Sequence, residues 1–138
     1  NLYQNFIGDA GVQAIAHAEC FEQLHTLQLD ENEVGDLGAY ALADATCAAH
    51  LIRLDLSSNA LTDKGLLAIV GSKRLTRLHT LCIYGNRDIG MEGIEALVHA
   101  RRVPLQALYL DFAGIGFEHM DRICDMLRES GIPKVMES

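Results

Sequence analysis

Two His/Cys pairs carry the first possible chemistry in this chain. His17 with Cys20, and Cys47 with His50, each place two soft ligands at i, i+3, and the two cysteines hold equivalent places in successive stretches of the chain. Imidazole and thiolate at that spacing on a helix are zinc-type ligands. Neighbouring helices pack about 8–10 Å apart, however, so side chains from two of them converge poorly on one ion. These cysteines therefore read as core residues near helix ends, and no metal is expected. His25 and His79 occupy the same slot in two copies of "LHTL". Strands separated by one other lie about 9–10 Å apart, too far for a catalytic pair. The stretch "GIGFEH", Gly114 to His119, has the first two glycines of a dinucleotide-binding turn but His119 at the third. No Ser-His-Asp or Cys-His constellation emerges, and no carboxylate pair has evident acid–base geometry. The expectation is a protein with no catalytic residues, no cofactor and no small-molecule substrate.

The elements that must carry these residues repeat. Asn5, Asn32, Asn59 and Asn86 recur at one constant step. Aligned on them, "LHTLQLDENEVGDLG" begins at Leu24, "LIRLDLSSNALTDKG" at Leu51, "LHTLCIYGNRDIGMEG" at Leu78 and "LQALYLDFAGIGFEH" at Leu105. The shared template is L-x-x-L-x-L-x-x-N-x-L-x-D-x-G, followed by a helical stretch. In Leu54-Asp55-Leu56, period two puts both leucines on one strand face and Asp55 on the other. Asn59 sits where the chain leaves the strand, and its amide can satisfy backbone groups that a turn leaves unpaired. Asp9, Asp36 and Asp63 precede helical stretches and read as N-caps. Gly11, Gly38, Gly65 and Gly93 follow just inside, where a missing side chain allows close approach of the next copy.

This template resembles the leucine-rich repeat signature. The repeat length and the "GDLGAYALA" tail are similar to the ribonuclease-inhibitor type. The resemblance implies an α/β fold, a right-handed solenoid with parallel strands on its concave face and helices on its convex face. It also implies that the leucines point into the core, that Asn5, Asn32, Asn59 and Asn86 form a structural ladder, and that the concave face binds protein. One domain is expected over 1–138: a partial repeat over 1–23, repeats starting near 24, 51 and 78, and a capping repeat over 105–138. The last copy puts Ala113, Phe117 and His119 at the asparagine, aspartate and glycine positions, and its helix is amphipathic, as a terminal repeat requires. The first copy has lost its strand start, which reads as a piece of a longer chain. One extra residue in "NRDIG" is expected to be absorbed as a bulge.

Composition narrows the partner. Lys and Arg number 11 against 19 Asp and Glu, a net charge of −8. Nucleic-acid binding needs clustered cations, so none is expected. No apolar run reaches the ~18 residues of a membrane span. The four cysteines sit among apolar or small neighbours, which reads as free thiols in an intracellular, cytoplasmic setting. Strand alternation nominates Gln28, Asp30, Glu31, Arg53, Asp55, Tyr84, Tyr109, Asp111 and Phe112 as the partner-binding face. The leading expectation is a protein-interaction module or scaffold. The alternatives are a regulator of a GTPase acting through Arg87, similar to Ran GTPase-activating proteins, and an architectural subunit of a large assembly such as a ciliary complex.

Overall fold

A computed structural model of the chain describes residues 1–18, 23–100, 103–111, 115 and 117–137. Among them lie five strands: β1 Thr26–Gln28, β2 Arg53–Asp55, β3 Thr80–Cys82, β4 Ala107–Leu110 and β5 Lys134–Glu137. They form one parallel sheet in sequence order. Thr26, Arg53, Thr80, Ala107 and Lys134 stand side by side, so each strand advances the chain by one repeat. Parallel neighbours need a crossover, and a helix supplies each one. The helices are α1 Gly8–Ala16, α2 Asp36–Asp44, α3 Asp63–Gly71, α4 Met91–His99 and α5 Met120–Glu129. Each packs on the next along one side of the sheet.

The inward strand positions Leu27, Leu29, Leu54, Leu56, Leu81, Ile83, Leu108 and Leu110 are all buried. Leu42, Leu66, Ile69, Ile94, Leu97, Ile123 and Leu127 meet them from the helices. Aliphatic side chains thus fill one continuous core along the stack. The strands are short, but the ladder runs on into the turns, where Leu29 N–H donates to the Asp55 carbonyl and Glu31 N–H to that of Ser57. On the other side of β1, Leu2 N–H donates to the Gln28 carbonyl and Gln4 N–H to that of Asp30.

Two side-chain ladders join the repeats. In the first, Asn59 Oδ1 accepts from the Asn32 and Val34 N–H groups at 3.1 and 2.8 Å, and Asn59 Nδ2 donates to the Leu29 and Ser57 carbonyls. Asn32 treats the Asn5 turn in the same way, and Asn86 accepts from Leu61 N–H while donating to the Leu56 and Ile83 carbonyls. Each amide therefore reaches backward and satisfies the turn of the preceding repeat.

The second ladder reaches forward. The aspartates do not cap the helices they begin. Asp36 and Asp63 are the first residues of their helices, behind Gly35 and Thr62. Asp9 Oδ1 accepts from the Gly35 and Gly38 N–H groups at 2.7 and 2.9 Å. Asp36 Oδ1 accepts from Thr62 and Gly65 N–H, its Oδ2 accepts from the Thr62 hydroxyl, and Asp63 Oδ1 accepts from Gly90 N–H. Orphan donors at the starts of α2, α3 and α4 are thus satisfied by a carboxylate from one repeat earlier, where negative charge is also favoured by the helix dipole. That contact accounts for Gly38, Gly65 and Gly93, whereas a Cβ at Gly11 would meet Ile7 of its own turn and not a neighbouring repeat. A Cβ at Gly65 would collide with Asp36 Oδ1, and one at Gly38 would lie 2.8 Å from Asp9 Oδ1.

In the fourth copy Met91 begins α4, so no aspartate reaches forward from that position. The following helix starts instead through a 3-10 turn, Phe117–His119. The extra residue of "NRDIG" is taken up between Asn86 and α4, where Asp88 bridges to Thr62, and the strand register recovers at Ala107. Gly131 and Pro133, residues whose turn chemistry ends helices, follow α5. A fifth strand follows them and pairs with β4 in the same register.

Removing the Asn59 amide takes a partner from four backbone groups, of which the Ser57 carbonyl keeps Glu31 N–H. Asn59→Ala is expected to lower unfolding free energy by about 2–4 kcal/mol in a urea titration. Gly65→Ala, which forces its Cβ onto Asp36, is expected to cost about 1–3 kcal/mol. Gly71→Ala meets nothing within 4 Å and is expected to be neutral or stabilising by up to about 1 kcal/mol.

Candidate protein-binding surface

The outward strand residues form rows across the sheet. One row is Thr26, Arg53, Thr80 and Ala107, and the next is Gln28, Asp55, Cys82 and Tyr109. The ladder in the turns extends a third: Tyr3, Asp30, Ser57, Tyr84 and Asp111. Parallel register thus stacks residues from successive repeats at about 4.8 Å spacing.

Arg53 organises the middle of this face. Its Nη2 lies 3.3 Å from Asp55 Oδ2 and donates to Cys82 Sγ at the same distance. Its guanidinium also sits 5.8 Å from the centre of the Tyr109 ring, two strands away. Small Thr80 and Ala107 beside it leave room for that reach. Asp55 and Cys82 are consequently buried, although strand alternation turns them outward. Burial, then the Asp55 charge, pushes the Cys82 thiol up to about 12, with Arg53 acting the other way.

The nominated residues fare differently. Tyr84 is 39% exposed and Glu31 is exposed, whereas Gln28, Asp30, Arg53, Tyr109 and Asp111 are half-buried. Asp55 is 7% exposed, so it supports the face from below Arg53 rather than offering a free carboxylate. Asp111 is tied to a turn, accepting from Gly85 N–H at 2.8 Å. Gly85 itself has φ +73°, and a Cβ there would press on the Ser58 backbone at 3.1 Å. Phe112 lies outside the described residues, as do Cys20, Ala113, Gly114 and Gly116. Arg87 is exposed in the turn before α4.

Tyr3 is a member of the face that the strand pattern misses, because the first copy lacks its leucine-rich strand start. Its position one repeat before Asp30 is the signal that finds it. The Tyr3 hydroxyl donates to Glu31 Oε1 at 3.3 Å, and the Glu31 charge, with that bond, raises its pKa. Tyr84 is also raised, first by burial and then by Asp55 and Asp30, with the Ser57 hydroxyl acting the other way. Two buried polar atoms beside these rings have no partner in hydrogen-bond geometry, Asp30 Oδ1 and Ser57 Oγ, although the Ser57 hydroxyl is near enough to Tyr84 to act on its pKa.

The convex side carries an apolar patch of Leu37, Tyr40 and Leu67, exposed by 59, 43 and 46%. Tyr40 and Leu67 hold equivalent positions in α2 and α3. Tyr40 falls in the stretch "GAYALADATCAA", which is apolar almost all round. His17 and Cys47 are engaged with backbone, His17 Nδ1 with Gln13 O at 2.7 Å and Cys47 Sγ with the Ile15 and Ala16 carbonyls. Among the described residues no group of three or more His, Cys, Asp or Glu side chains is placed to hold a metal. No helix among them is long and apolar enough to cross a membrane.

Residues 23–43 and 48–70 match the family model described as Leucine Rich repeat. These matches cover two of the repeats and, with the constant strand register and the strand–helix alternation, support a solenoid fold of the leucine-rich repeat kind. Repeats of this family generally mediate protein–protein interaction. No curated protein matches the chain.

A thiol held protonated in the fold but free to ionise when unfolded, near its ordinary 9.0, makes stability pH-dependent. The contribution is complete below pH 9 and is lost as pH rises toward about 12. Unfolding free energy is therefore expected to fall from pH 9 upward, with Tyr3 and Tyr84 steepening the fall above 10. Cys82→Ala should flatten the curve between pH 9 and 10, checked by urea titrations across that range.

Proposed function

We propose that this solenoid segment binds another protein across its concave face, as an interaction module or scaffold of the ribonuclease-inhibitor type in an intracellular setting. The observation that carries the reading is the row of Tyr3, Asp30, Ser57, Tyr84 and Asp111, with Tyr109 and Arg53 beside it. These side chains stand on a sheet whose register is held from below by the core and from the turns by asparagine amides. Rigid presentation reduces the ordering cost of binding, and tyrosines are enriched among residues that dominate interfaces. The repeat length and one helix per repeat support the subtype. The thiols of Cys82 and Cys124 support a reducing compartment.

A photo-crosslinking residue placed at Tyr109, in the full chain in native extract, is expected to capture one discrete partner. The same residue at Leu67, on the convex face, is expected to capture none. Capture from Leu67 alone moves binding to the helices. Silence at both positions overturns the reading and leaves the repeats as architecture.

A further inference from the structure

We infer that the Asp30–Ser57 pair, flanked by Tyr3 and Tyr84, is the seat for a lysine or arginine side chain of a protein partner. This rests on the concave-face reading above and names the chemistry of its occupant.

Four observations converge. The first is charge. Asp30, Glu31, Asp55 and Asp111 stand in or beside these rows, and Arg53 is the one lysine or arginine among their described side chains. Arg53 is already engaged with Asp55 and the Tyr109 ring. It neutralises one carboxylate and leaves the Asp30 end of the face negative. The second is unspent hydrogen bonding. Ser57 is 0% exposed and its Oγ has no partner, and Asp30 Oδ1 beside it has none either. Asp30 is half-buried, and its carboxylate can accept from an ammonium or guanidinium laid over Ser57. The other acids nearby are occupied, since Glu31 takes the Tyr3 hydroxyl and the Gln4 amide, Asp55 takes Arg53, and Asp111 takes the Gly85 N–H. Asp30 is the carboxylate left over.

The third is aromatic flanking. Tyr3 and Tyr84 lie on either side of the pair, three strand positions apart, a span of about 14 Å. Both rings are exposed, at 45 and 39%. Cations bind the faces of such rings, and Arg53 over Tyr109 is an example of that contact within the same face. The fourth is electrostatic setting. Tyr3 and Tyr84 ionise only above their ordinary value of 10, so the rings add no negative charge at neutral pH. A basic side chain laid between them meets a carboxylate at its head and apolar ring surface along its stem. Opposite charge across such a surface contributes chiefly to choice of partner and to encounter rate.

The test uses the full chain and a fluorescein-labelled hexa-arginine peptide, followed by fluorescence anisotropy at low ionic strength. A hexa-glutamate peptide is the control. Hexa-arginine is expected to bind and hexa-glutamate not to. Asp30→Asn and Tyr84→Ala are each expected to weaken binding at least tenfold, while Glu92→Gln on exposed α4 leaves it within twofold. Asp30→Asn preserves shape and removes only charge, and an unchanged thermal melt separates its effect from unfolding. Absence of hexa-arginine binding overturns the inference, as does an equal loss from Asp30→Asn and Glu92→Gln, which marks bulk charge alone. If Tyr109 still captures a partner while hexa-arginine fails, the basic occupant falls and the concave reading stands. If both fail, the two fall together.

Discussion

The whole structure depends on how a buried turn satisfies its own backbone. Each repeat must leave its strand, turn and enter a helix with its polar backbone pressed against neighbouring copies. Water cannot reach those groups, and an unpaired buried amide costs about 1–3 kcal/mol. The asparagine ladder resolves this. Asn32 and Asn86 are almost fully buried, and each carries donors and an acceptor that bridge two successive turns. Because the bridge joins residues of adjacent repeats, no repeat is complete by itself, and one period is imposed on the sheet, the helices and the core alike.

The aspartate ladder acts in the opposite direction. Asparagines bind back to the previous turn, while Asp9, Asp36 and Asp63 reach forward to the next helix start. Two sets of contacts of opposite polarity fix both the spacing and the rotation of neighbouring repeats. Where Met91 interrupts the aspartate set, the next helix begins through a 3-10 turn. The concave face inherits this order. Side chains one repeat apart in sequence become neighbours in rows, and Arg53 can then cover Asp55 and Cys82 and reach the Tyr109 ring.

That order also separates supporting residues from available ones. Asp55, Asp111 and Arg53 spend their polar groups on one another or on a turn. Asp30 and Ser57 keep an unpartnered oxygen each, between two exposed tyrosines. On the convex side the Leu37, Tyr40 and Leu67 patch has no comparable polar feature, so nothing there distinguishes one occupant from another.

Period and residue type make the architecture legible in the sequence. Leucines at alternating positions have only one buried arrangement in a repeat of this length, so strands, helices and inward residues follow from local chemistry. The asparagine positions were legible for the same reason, since a polar amide among buried leucines must be bonded. Direction was not. Whether Asp36 capped its own helix or the next depended on how the repeats rotate against each other, a property of the stack that no single repeat contains. The fifth strand lay beyond Gly131 and Pro133, whose turn chemistry masked the continuing register. Alternation sent Asp55 and Cys82 outward correctly, yet it could not bury them, because their cover comes from side chains of other repeats. The free Asp30 and Ser57 oxygens belong to that same level: which polar groups remain unsatisfied is settled only when all their three-dimensional neighbours are in place.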